Sequence, residues 1–66
     1  SPMDPSVEHM MALSQKPFKA FAGQDHTAHM KSHLSFMGTQ IARTNPMILA
    51  AVQKNILEHI SLMAQE

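Results

Sequence analysis

The 66-residue chain predicts an all-α domain, an antiparallel helical hairpin preceded by a short N-terminal helix, and three observations predict it. No stretch alternates apolar and polar residues strictly enough for a strand. Apolar residues instead recur three and four apart over two long segments. Helix starts are written as a capping side chain followed by proline at both Asp4-Pro5 and Asn45-Pro46.

The first helix is expected from Pro5 to about Ser14, with Val7, Met10, Met11 and Ser14 on its inward stripe and Pro17 as the stop. Residues 15–24 read as a connector, with Phe18 and Phe21 anchoring it to the core and Gly23 as its last bend. Asp25 caps a second helix from His26 to about Ala42, which Gly38 weakens so that a kink or an end is expected near Gly38-Thr39. Thr44-Asn45-Pro46 opens the third helix, which runs to about residue 65. Residues 4–66 are thus taken as one helical domain. Ser1-Pro2 ahead of Met3 reads as the scar of a cleaved tag, and Ala64-Gln65-Glu66 breaks off as if cut from a longer chain.

Composition narrows the function classes. A chain this short buries only about 60% of the surface its unfolded form exposes, so it wants a staple or a partner. With no Cys, neither a disulfide nor a thiolate metal site supplies one. Five Lys and Arg balance five Asp and Glu without a basic stripe, so no nucleic-acid surface is expected. No apolar run reaches the roughly 18 residues of a membrane span. What remains distinctive is five His and seven Met.

On a helical wheel His26, His29 and His33 fall inside the apolar stripe with Met30, Leu34, Met37 and Ile41, and Phe36 borders them. On the third helix Ile48, Val52, Ile56, Ile60 and Met63 form the apolar arc, and His59 projects into it with Asn55 at its border. Antiparallel packing brings His59 to the beginning of the second helix, where the other three lie. Four imidazoles then converge at one end of the hairpin. His9, beside Glu8, is assigned to the solvated side of the first helix.

Two readings of that convergence stand side by side. Neutral imidazoles donate and accept, so His29, His33, His59 and Asn55 can satisfy one another as a buried polar network that sets register. Alternatively, spacings of three and four let His26, His29, His33 and His59 ligate one zinc-type ion, with Asp25 or water able to complete the set. A role at an oligomer interface or in pH sensing is a third use. The first reading needs no cofactor, the second needs zinc. H-E-x-x-H is absent, as are a phosphate loop and a Ser-His-Asp set, so no enzyme is expected. The Met residues at core spacings read as gap-filling core, or as an apolar face toward other chains.

From Lys16-Pro17-Phe18-Lys19-Ala20-Phe21 through Gly23-Gln24-Asp25-His26, then His29, His33-Leu34, Phe36-Met37 and Asn45-Pro46 to Glu58-His59-Ile60-Ser61-Leu62-Met63, the chain resembles a His-patterned helical segment of tailed-bacteriophage portal proteins. The likeness covers about fifty residues. It implies a structural virion module acting in self-association or assembly, with copies of itself or other parts of the parent protein as partners. It places the chain in the virion, or in the host cytoplasm during assembly. One departure bears on the site: where the pattern has another His one turn before His59, this chain has Asn55, which suits a hydrogen-bonded network better than a four- or five-His metal site.

Overall fold

The computed structural model describes residues 4–13 and 19–66. Ser14, Pro17, Phe18 and the first three residues, on which parts of the sequence reading rest, lie outside them. The chain order is α1 (Pro5–Leu13), α2 (His26–Met37), α3 (Gln40–Arg43) and α4 (Pro46–Gln65), and there is no strand among the described residues. The fold is all-α, with α2 and α4 forming the main packed pair. Asp4 starts α1, its carboxylate accepting from the Ser6 N–H at 2.8 Å. Asp25 starts α2 in the same way, accepting from the Ala28 N–H at 3.0 Å.

The helix expected to continue to Ala42 ends at Met37. Thr39 is extended (φ −76°, ψ 156°), and its hydroxyl accepts from the Ala42 N–H, so a new single-turn helix begins there. The Gly38 N–H is spent on the Ser35 carbonyl at 3.2 Å, which closes α2. Asn45 does not cap α4 with its side chain; its amide donates back to the Ile41 carbonyl, and Pro46 at the first turn sets the start of α4.

Two hydrogen-bonded pairs set the direction of packing: His26 meets His59, and His33 meets Asn55. The numbers rise along α2 as they fall along α4, so the two helices are antiparallel. α1 lies across both, with Glu8 near His29 and His33 and Ala12 in the cluster with Ile48 and Val52. It therefore runs in the same sense as α2. The hairpin has an apolar end, where Phe36, Met37, Ala51 and Ile56 pack around that cluster, and a polar end beyond it.

The inward face of α1 differs from the expected stripe. Val7 and Met10 are exposed, and Glu8 and Ala12 are buried instead. The helix is rolled by one residue, about 100°, from the orientation its apolar pattern favours. Phe21 is also exposed rather than an anchor. Its N–H donates to Gln24 Oε1 at 2.7 Å across a turn held by Gly23 at φ 84°, and the Gln24 amide, not the ring, is carried inward. On α4 the outer half of the expected arc, Ile60 and Met63, stays exposed because Asn55 and His59 take the inward positions; on α2 and α3, Leu34 and Ile41 stay exposed too.

The described interior is mostly polar. Its buried apolar residues are Ala12, Ala42, Ile48 and Val52, whereas Glu8, Gln24, His26, His29, His33, Asn55 and His59 are buried polar ones. Four apolar side chains, two of them alanines, supply only about 1.5–3 kcal/mol for each large residue. The polar set must therefore be well satisfied, or matched by something that binds it, for the fold to hold.

Candidate metal centre

Proton positions on the rings are assigned from their hydrogen-bond partners. His29 Nδ1–H donates to the Asp25 carbonyl at 3.1 Å, one turn back along α2, which leaves Nε2 as the lone-pair nitrogen. Gln24 agrees with that tautomer: its Oε1 accepts from Phe21, so its NH2 side faces His29 Nε2 at 3.4 Å. His26 Nε2–H donates to Glu66 Oε2 at 2.9 Å, and its Nδ1 accepts from His59 Nδ1–H at 2.7 Å. Neutral His59 therefore presents Nε2 without a proton. That atom is buried and has no hydrogen-bond partner.

Glu8 faces the same space. Its side chain is wholly buried, and neither carboxylate oxygen has a hydrogen-bond partner. Oε1 lies 3.7 Å from His29 Nε2 and 3.2 Å from His33 Nε2. One ligand atom each from Glu8, His29 and His59 falls within 4.8 Å of the other two. Three helices, α1, α2 and α4, contribute one member each.

His33 sits beside this group. Its Nε2–H donates to Asn55 Oδ1 at 2.7 Å, and its Nδ1 accepts from His9 Nε2–H at 2.7 Å. His9 is not solvated as expected from its position next to Glu8. It is half-buried, with its ring stacked on Phe36 at 4.1 Å between centroids. The one-residue roll of α1 accounts for both facts, turning Glu8 and His9 inward together.

Burial sets the electrostatics. It raises the Glu8 carboxyl above its usual range, against the lowering effect of His29 and with Asp4 and Glu58 adding to the rise. Burial likewise lowers His33 to about 4; the Asn55 hydrogen bond opposes the shift, and His9, His59 and His29 add to it. His59 is lowered by burial and by His29 and His26. Each group is thus driven toward its neutral form.

Of the four imidazoles expected to converge, all are buried at the same end of the hairpin, but in different positions. His29 and His59 each bring a ring nitrogen within 4.8 Å of the other and of a Glu8 oxygen. His26 stands behind His59 and reaches it through the opposite ring nitrogen, while His33 is hydrogen-bonded to Asn55. Asp25 contributes its carbonyl and its N-cap rather than a ligand. The residue that sequence reasoning missed is Glu8. Its only signal was a position four before Ala12 on a helix whose stronger apolar residues point elsewhere.

Comparison with protein families, curated proteins and solved structures gives no match to this chain.

Proposed function

We propose that this chain is a small helical module whose fold is completed by one divalent metal ion, zinc foremost, held by Glu8, His29 and His59. One observation carries the reading: ligand atoms of Glu8, His29 and His59 lie within 4.8 Å of one another in a buried space, where both Glu8 carboxyl oxygens and His59 Nε2 have no hydrogen-bond partner. Acceptors brought together this way are costly to bury unless a proton or a cation lies among them, and a cation serves all three at once. Two neutral nitrogens and one carboxylate suit a borderline ion such as zinc, and the absence of thiolates leaves the site without a soft-metal preference. Each ligand comes from a different helix, so the ion joins α1, α2 and α4 at the polar end of the hairpin. Its role is structural.

The outer hydrogen bonds support the reading. The Nδ1 atoms of His29 and His59 are each held by a partner on the far side of the ring, the arrangement that orients imidazole ligands in metal centres. Elemental analysis and melting curves with and without chelator test it. We expect close to one zinc per chain and, at zinc 100-fold above Kd, a rise in Tm of about 10–20 °C that chelator reverses. No uptake, with a melt indifferent to chelator, overturns the reading.

A second reading, self-association as a module of a virion protein like the portal segment it resembles, is favoured by a different observation. Met10, Leu34, Met47 and Leu57 are all more than half exposed, and few apolar residues are buried among the described ones. Light scattering of the purified chain is expected to give twice the monomer mass or more. A monomer at millimolar concentration contradicts it.

A further inference from the structure

Three buried imidazoles, not two, turn the same edge toward Glu8. His29, His33 and His59 each engage an outer partner through Nδ1: the Asp25 carbonyl, His9 Nε2 and His26 Nδ1 respectively. The Nε2 atoms of His29 and His33 lie 3.7 and 3.2 Å from the same oxygen, Glu8 Oε1. Ligand atoms on a tetrahedral zinc, with bonds of about 2.0–2.1 Å, sit about 3.4 Å apart. Both distances straddle that edge.

Ring positions say how far His33 is from joining. Two imidazoles bound through Nε2 to one tetrahedral zinc place their centroids about 5.2 Å apart. His29 and His59 stand at 5.0 Å. His33 is 6.2 Å from His29 and 6.1 Å from His59. It is equidistant from the pair and about 1 Å too far from each, so a single small movement toward the pair brings it to both.

We infer that His33 is the fourth ligand, and that metal converts the cluster into a closed Glu8–His29–His33–His59 tetrahedral centre with no position left for water or substrate. This assignment rests on the metal-centre reading above and adds the coordination number and the ion class, tetrahedral zinc or cobalt(II). The Nε2–metal bond of His33 replaces its Nε2–H bond to Asn55. The ring keeps its neutral charge by carrying the proton on Nδ1, now donated to His9 Nε2, while His9 carries its own proton on Nδ1. The two rings hold the same number of protons before and after, and no redox step is involved. His9 and Asn55 are then positioning residues, one on each side of the His33 ring.

The cobalt(II)-loaded wild-type chain tests the assignment directly. X-ray absorption is expected to count three imidazoles per metal, and added thiocyanate is expected to leave the visible spectrum unchanged, since a closed centre offers no site for it. His33→Gln is expected to weaken zinc binding at least about 10-fold and to make the cobalt spectrum respond to thiocyanate, a change that loss of packing does not produce. Two imidazoles per metal, or a thiocyanate-sensitive wild-type spectrum, overturns the assignment while leaving the three-ligand centre standing. Absence of cobalt and zinc uptake overturns both. The wild-type measurements decide the matter even if the variant does not fold.

Discussion

Replacing Glu8 by Gln is expected to raise the stability of the metal-free protein and, in the same variant, to abolish its response to zinc. The two effects have opposite signs for one physical reason. In the absence of an ion, the Glu8 carboxyl group is wholly buried and neither of its oxygens has a hydrogen-bond partner. A glutamine of the same shape is uncharged and brings an NH2 group able to donate to His29 Nε2 or His59 Nε2. Removing a buried carboxyl group whose oxygens lack partners and supplying donors is worth about 1–3 kcal/mol, or roughly 5–20 °C in Tm for a domain of this size. The same substitution takes away the anionic ligand, and zinc affinity is expected to fall at least about 100-fold, the upper end of what loss of an outer-shell partner alone costs. Calorimetric titration with zinc and a melt in chelator read the two effects separately. A metal-free Glu8→Gln protein less stable than wild type would show that the carboxylate is satisfied by something other than a metal.

Acid is expected to unfold the metal-free protein well above the pH at which its exposed carboxylates titrate. His33 is pushed down to about 4 in the fold against a usual 6.5, so the native state holds it neutral where the unfolded chain protonates it. A depressed folded value means the contribution is complete above pH 6.5 and is lost as pH falls toward 4. The full loss from His33 alone is about 3 kcal/mol. His9 and His59 are lowered as well and act in the same direction. Glu8 acts in the other: its raised carboxyl stabilises the fold below the usual 4.5 and loses that contribution as pH rises through the folded value. The groups packed around His33 are Glu8 and His9 from α1, His29 from its own helix, and Asn55 and His59 from α4. Urea denaturation in chelator is expected to show stability falling steadily from pH 6.5 to 4.5, with the slope reduced in His33→Gln. Constant stability over that range contradicts the buried neutral imidazoles.

Much of the fold can be read in the chain. Asp25 before His26, and Pro46 after Asn45, mark where the long helices begin because capping and proline geometry are local matters. Gly38-Thr39 marks the break, although the sequence left open whether the helix bends there or stops. The inward position of His26, His29, His33 and His59 follows from helical spacing among apolar neighbours, and burial of all four agrees with it. Spacing does not distinguish which ring nitrogen points where. His26 and His59 lie on the same inward faces as His29, yet one presents Nδ1 to a neighbouring ring and the other presents Nε2 to Glu8's space.

The sequence by itself determined the all-α class, the two helix starts and the faces of α2 and α4 that bear histidine, since caps, proline and the 3.6-residue period act within a turn or two of the chain. Only the tertiary structure decided how α1 is rolled, and with it the chemistry of the centre. Val7 and Met10 argued for one face, but packing across a hairpin whose polar end is lined with imidazoles turned Glu8 and Ala12 inward. An apolar pattern records what a helix prefers to hide from water. It does not record which polar side chains the packing of three helices brings together in the interior.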